Sequence, residues 1–242
     1  MKVAIIYWGL TRGLKHGFKN LDENLFSVLR ENNIEYDNFI HTWYFKGKYK
    51  NTRRKIKNVT LDFEEYKLLN TRVCLVEDQD KVIENFNFEK YRTKGDIFKN
   101  KFQSHTFRIL AFISQQRIIK EFEKFKGEYD YVIFQRPDTI FYKKLDINFF
   151  NLAKNSIVIP SFGTDENLLF YNDRWAVSNI ENAIKYGNAF DLLLDYCKNE
   201  IFHPEMFLGW LLKKHYKLNI SLVDNRHAII GPDGKIIDKG DY

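Results

Sequence analysis

Two apolar runs that stop abruptly at polar residues constrain this chain more than any other feature of its sequence. Lys2 to Trp8 (KVAIIYW) is nearly unbroken and ends at Gly9, and Tyr131 to Phe134 (YVIF) stops at Gln135, Arg136, Pro137 and Asp138. Short continuous runs of this kind suit strands covered on both faces, as in a mostly parallel sheet. The first run is followed by a loop punctuated by Gly9, Gly13 and Gly17. Within Asn20 to Asn33, Leu21, Leu25, Val28 and Leu29 then recur at helical spacing. Tyr36 to Phe45 (YDNFIHTWYF) is aromatic and β-branched, which predicts the second strand. The opening is β-α-β, and the expected class is α/β: a mostly parallel central sheet flanked by helices.

The alternation continues. Asp62 to Leu69 can form a short helix and Thr71 to Asp78 (TRVCLVED) a third strand, after which little pattern is visible up to Gln103. Ser104 reads as the N-cap of a long helix through Lys126, with Phe107, Ile109, Leu110, Ile113, Ile118, Ile119 and Phe122 on its apolar side and Gly127 ending it. Further on come Ser156 to Phe162, the strand-like Asn167 to Asn179, a helix from Ile180 to Lys198, a helix opening at HPEMFLGWLLKKHY, the strand LNISLVD and a turn at Pro232 to Gly234. No repeat or low-complexity linker divides the 242 residues, which are read as one domain.

Composition removes several function classes. The two cysteines, Cys74 and Cys197, lie in separate segments without metal-site spacing, so neither a disulfide framework nor a structural zinc site is indicated, and a cytoplasmic setting is the simpler expectation. No stretch has the run of about 18 apolar residues that a membrane-spanning helix needs, so any membrane contact is expected to be peripheral. A formal charge of +6 favours anionic partners. Lys46 to Lys57 (KGKYKNTRRKIK) carries seven basic residues, no acidic one and a single aromatic, Tyr49, which supports a solvated loop better than a nucleic-acid surface. No nucleophile elbow or Ser/His/Asp arrangement can be placed.

The residues able to carry chemistry cluster at expected strand ends. In IFQRPDTIF, Pro137 removes a backbone donor and holds Arg136 towards extended geometry, so a cation and a carboxylate emerge at a sheet edge. Arg136 suits a phosphate and Asp138 a hard divalent cation; a surface turn with a local ion pair is the alternative. In FYNDRWAVSN, the polar Asn172, Asp173 and Arg174 interrupt apolar sequence, as sugar-binding groups or as a hairpin turn. In FHPEMFLGW, Pro204 fits a first helical turn, leaving Glu205 as a helix cap or a base, with His203 a weaker candidate at the same place. Gly9 and Arg12 follow the first strand, where a nucleotide phosphate often lies, without forming a GxGxxG or P-loop fingerprint. Arg226 and His227, near the end, could touch a diphosphate and a metal, although a lone His is more often structural.

In order and spacing, IIYWGLTRG, DNFIHTWY, FISQQRIIKEFEK, YDYVIFQRPDTIF, NDRWAVSN and HPEMFLGWLL resemble a family of GT-A-type glycosyltransferases encoded in bacterial and viral surface-glycan gene clusters. The resemblance implies a GT-A-like, Rossmann-type fold with a nucleotide-binding half over about 1–140 and an acceptor-side half over about 141–242. It implies transfer of a sugar from a nucleoside-diphosphate donor to a glycan or lipid-linked acceptor; the alternative is a non-catalytic sugar-nucleotide- or glycan-binding protein of the same fold. The RPD segment takes the place of the family's DxD motif, making Asp138 the counterpart of a ligand to manganese or magnesium, with His227 as a second candidate. Arg136 stands where a full DxD has its first Asp, which makes direct neutralisation of the diphosphate by arginine the competing expectation. By the same resemblance Asn172 and Asp173 lie against the donor sugar or acceptor and Glu205 near the acceptor. If the reaction inverts configuration, Glu205 or Asp173 is the expected base; the expected substrate contacts are Gly9, Arg12, Arg136, Asp138, Asn172, Arg174, His203 and Arg226.

Overall fold

The computed structural model describes residues 1–239. Its strands are β1 (Lys2–Trp8), β2 (Glu35–Tyr44), β3 (Tyr49–Asn51), β4 (Ile56–Val59), β5 (Thr71–Asp78), β6 (Tyr131–Gln135), β7 (Thr139–Phe141), β8 (Ile157–Pro160), β9 (Trp175–Asn179), β10 (Ile220–Val223), β11 (His227–Ile230) and β12 (Ile236–Asp238). Seven of them form a central sheet in the order β10-β8-β9-β6-β1-β2-β5, while β12-β11-β7 and β3-β4 are small separate sheets. In the central sheet β1 lies parallel to β2 and β6, β2 to β5, and β8 to β10; β9 runs antiparallel to β6 and β8. The class is therefore mixed α/β with a mostly parallel sheet, as the buried apolar runs require.

The pleat of β1 explains why that run is apolar throughout. Ala4, Ile6 and Trp8 enter one core with Phe39, Val132 and Phe134, beneath the helix Gln103–Phe122. Val3, Ile5 and Tyr7 enter the opposite core with Ile40 and Ile133, beneath the helical segment that opens at Leu14. Ile5 and Ile6 are both fully buried, so truncating either to Ala costs roughly 2–5 kcal/mol. The long helix is tied to the ends of β1 and β2 by Ser114. Its Oγ accepts from the Gly9 amide at 2.8 Å, meets His41 Nδ1 at 2.7 Å and lies 3.1 Å from the His41 carbonyl.

Several boundaries depart from the pattern-based expectation. The first helical segment starts at Leu14, six residues early, and runs through a π-turn at Asp22–Phe26 to Glu31. The long helix begins at Gln103; Ser104 is not its cap. Asp96 instead accepts from the amides of Phe98, Asn100 and Phe102, and Asn100 accepts from the Ser104 amide. Only Trp175–Asn179 of the strand-like Asn167 to Asn179 is a strand, and the expected helix from Ile180 to Lys198 is two, Ile180–Gly187 and Phe190–Asn199. Lys46 to Lys57 is largely exposed, as expected, but it is not irregular: it contains β3 and the start of β4, which pair as a hairpin with Tyr49 buried. Among the described residues, no helix is long and apolar enough to cross a membrane.

Candidate functional site

The strand order places a specific crevice. From β1 the chain builds outward through β2 and β5, then returns to β6 on the other side of β1. The order reverses between β1 and β6, and in open α/β sheets ligands bind outside the carboxyl ends of strands at such a reversal. The loop after β1 carries Gly9 and Arg12, and the turn after β6 carries Arg136, Pro137 and Asp138. Because β9 runs the other way, its leading residues Asn172, Asp173 and Arg174 arrive at the same edge.

Backbone geometry fixes both segments. Gly9 has φ +85°, a left-handed conformation, with open space where a Cβ would stand. Gly13, at φ +86°, lets the loop approach the Gly231 carbonyl so closely that a Cβ there would lie 2.7 Å from it. The turn at 136–138 is held by the Arg136 amide donating to the Arg174 carbonyl (3.2 Å), Thr139 Oγ1 donating to the Arg136 carbonyl (2.9 Å) and the Ile230 amide donating to the Asp138 carbonyl (2.9 Å). Gln135 Nε2 adds a bond to the Arg136 carbonyl at 2.7 Å.

The side chains then assemble around one carboxylate. Asp138 is 2% exposed, and Arg136 grips it through two nitrogens on one edge of its guanidinium, Nε to Oδ1 at 2.9 Å and Nη2 to Oδ2 at 2.8 Å. Arg12 adds Nη2 to Oδ2 at 3.2 Å, while its Nη1 donates to the Tyr49 hydroxyl. Burial by itself raises the Asp138 pKa, but the two guanidiniums overcome that and hold it at about 2. Across the cleft, Arg108 Nη1 donates to Asp173 Oδ2 at 3.1 Å. Asp238, from β12, accepts at 2.6 Å from both Arg54 Nη2 and Arg174 Nη2, so the basic hairpin and the last strand clasp one another.

Two hollows result. The inner one, about 120 Å³, is walled by Trp8, Trp43 and Phe107 and carries Arg12, Arg53, Arg54, Arg108 and Arg136 against Asp138 and Asp173. A wider one, about 450 Å³, is lined by Asn172, Arg174, His203 and Glu205 and shares Arg53, Arg54, Arg108 and Asp173 with the first, which makes the pair one continuous groove. Five arginines against two aspartates leave the inner hollow strongly cationic even after Asp238 is counted against Arg54. Arg12 Nε and Arg174 Nη1 are buried without an acceptor among the described residues. The inner hollow has a surplus of donors and positive charge over its two carboxylates, which is what an anion balances.

The sequence-derived candidates divide accordingly. Gly9, Arg12, Arg136, Asp138 and Asp173 line the inner hollow, and Asn172, Asp173, Arg174, His203 and Glu205 the outer one. Asn172 is committed to its own loop: its Nδ2 donates to the Phe162 carbonyl and its Oδ1 accepts from the Arg174 amide. Glu205 Oε2 lies 3.0 Å from His203 Nδ1; burial opposes its ionisation, but His203 and Arg108 hold its pKa at about 2. Arg226 is exposed and stands outside the residues lining either hollow. His227 is fully buried opposite Phe141 in the β7-β11 pair, its ring between Phe141 and Phe162, and burial followed by the charge of Arg174 drives its pKa down to about 3.

A divalent cation does not fit these residues. Both Asp138 oxygens are taken by guanidiniums, Asp173 is paired with Arg108, and no group of three His, Cys, Asp or Glu among the described residues could hold a metal. Asp138 and His227, the two residues expected as metal ligands, are engaged here by guanidiniums and by the aromatic rings of Phe141 and Phe162 respectively. Sequence reading missed Arg108, Arg53, Arg54, Tyr49 and Asp238; Arg108 lies inside a long helical pattern, and the others find partners more than a hundred residues away in sequence or lie within a run that reads as solvated.

Among solved structures, the chain is similar to mouse xyloside xylosyltransferase 1 in its apo form. The similarity covers 92% of this chain and 85% of that one, at 12% identity and a TM-score of 0.44. No protein-family model and no curated protein sequence matches the chain.

Proposed function

We propose that this protein is a GT-A-like glycosyltransferase of one domain that moves a sugar from a nucleoside-diphosphate donor to a glycan or lipid-linked acceptor. The observation that carries this reading is the arginine-lined crevice at the β1/β6 reversal, opening into a second, wider hollow across Asp173. The inner hollow suits an anion bearing an apolar, planar base; the outer suits a hydroxyl-rich acceptor. The sequence resemblance of these same segments to surface-glycan glycosyltransferases supports the assignment.

In the reaction the bond between the sugar's anomeric carbon and the β-phosphate oxygen breaks, and its electron pair stays on that oxygen. An acceptor hydroxyl forms the new bond to the same carbon and loses its proton. Negative charge therefore develops on the departing diphosphate, where Arg12 and Arg136 are already oriented to meet it; such preorganised donors are often the largest single contribution to catalysis. Asp173 lines both hollows, and Arg108 occupies only its Oδ2, so Oδ1 is left to take the acceptor proton. Glu205, held ionised beside His203, and Arg174 orient the acceptor.

The test is release of nucleoside diphosphate from a panel of sugar nucleotides, read together with calorimetric binding of the same panel. Release or transfer with at least one donor is expected. Binding of sugar nucleotides without release marks a binding protein of the same fold, and no binding of any sugar nucleotide or nucleoside diphosphate overturns the reading.

A further inference from the structure

Resting on the sugar-nucleotide reading, we propose that the donor diphosphate is bound without any divalent cation, by Arg12 and Arg136, and that Asp138 is a positioning residue for these two arginines. The buried carboxylate presents two oxygens, and three guanidinium nitrogens occupy them at 2.8–3.2 Å. Three of the carboxylate's roughly four lone-pair sites are thus filled, two on Oδ2 and one on Oδ1. A metal ion taking the one left on Oδ1 would settle beside two fixed positive charges, and chelation through both oxygens would have to displace the grip of Arg136 and the Arg12 contact. Asp173 is the one other carboxylate lining the inner hollow; it carries Arg108 on its Oδ2, and the rest of the lining is basic or neutral.

The donors that a diphosphate needs are present without the metal. Arg136 uses its Nε and Nη2 on Asp138, which leaves Nη1 of a residue lining the hollow uncommitted to that carboxylate. Arg12 has one nitrogen on Asp138, one on the Tyr49 hydroxyl and a third, Nε, buried without an acceptor. A carboxylate gripped from two sides in this way sets the planes of both guanidiniums before ligand arrives, and preorganised planar forks suit phosphate oxygens better than a point charge does. The positive charge that a DxD-bound cation brings to the leaving group is here supplied by side chains. Asp138 does not touch the phosphate; it fixes the groups that do.

The experiment is isothermal titration of the full chain with UDP, GDP, CDP and ADP, first in EDTA and then in excess manganese chloride. At least one nucleotide is expected to bind with affinities in the two buffers that agree within about threefold, less than half of the 1.4 kcal/mol that a tenfold change represents. Binding more than about tenfold tighter with manganese overturns the metal-free clamp and leaves the transferase reading standing. No binding in either buffer overturns both. Asp138→Asn and Arg136→Lys separate positioning from mere structure: in each, affinity for the diphosphate is expected to fall by about tenfold or more while affinity for the parent nucleoside stays unchanged. An equal loss for nucleoside and diphosphate makes Asp138 a structural residue only and overturns its assigned role. If either variant fails to fold, the comparison of buffers on the native chain decides.

Discussion

Replacing Asp138 by Asn keeps the shape of the side chain and removes its charge from between two arginines. The magnitude can be worked from the structure. Holding the carboxyl at about 2 against an ordinary value of 3.8 favours its charged form by roughly 2 kcal/mol. Removing one partner from a buried, hydrogen-bonded ion pair costs more, about 3–5 kcal/mol, because the guanidinium left behind is uncompensated. A loss of about 3 kcal/mol in a chain of this size lowers the Tm by roughly 6–12 °C. The pH dependence follows from the sign of the shift: a lowered folded-state pKa contributes stability that is present above the unfolded value and lost as pH falls through the folded one. The gap between native and variant is thus constant near neutrality and closes between about pH 4 and pH 2. Urea unfolding of Asp138→Asn, Arg136→Met and the double variant supplies the assay. If the clamp is real, the cycle shows a coupling of about 2 kcal/mol or more; single effects that add to within about 0.5 kcal/mol refute the reasoning.

Asp173→Asn is expected to lower turnover by about a hundredfold or more with donor affinity retained, as judged by steady-state kinetics beside calorimetry. His41, His105 and His227 are buried neutral, chiefly by desolvation, at about 3, 4 and 3, so the unfolded chain takes up protons below its ordinary histidine value that the folded chain refuses. Stability should therefore fall by up to about 4 kcal/mol per pH unit below roughly pH 6, and urea curves that coincide at pH 7 and pH 5 would contradict this. Gly13→Ala forces a Cβ to within 2.7 Å of the Gly231 carbonyl at a left-handed φ, with an expected loss of about 2 kcal/mol or more by thermal unfolding. Arg54→Gln releases the β3-β4 hairpin from Ile237 and Asp238, so trypsin should cut within Lys46 to Lys57 several-fold faster than in the native chain.

What the sequence by itself determined was the sheet and the edge at which chemistry occurs. Short unbroken apolar runs such as KVAIIYW and YVIF suit strands buried on both sides, and the polar residues closing YVIF must emerge at a strand end, so Arg136 and Asp138 were legible at the sheet edge, with Arg12 in the loop after the first strand; that Asp173 joins them was not, because it sits within a strand-like run. Helix limits were less so, since the capping of the long helix comes from Asp96 and Asn100, residues ahead of any periodic pattern. Only the tertiary structure decided what Asp138 does. A carboxylate near an arginine in sequence is equally a metal ligand or an ion-pair partner, and the choice turns on whether a second cation, Arg12, arrives from 126 residues away to share its Oδ2 and add a second fixed positive charge. The same holds for Lys46 to Lys57, a largely exposed charged run in which Arg54 is anchored by Asp238, 184 residues beyond it, and with Arg53 lines the groove. Charge and burial act through space at a few ångströms, and the sequence encodes those distances only through the fold.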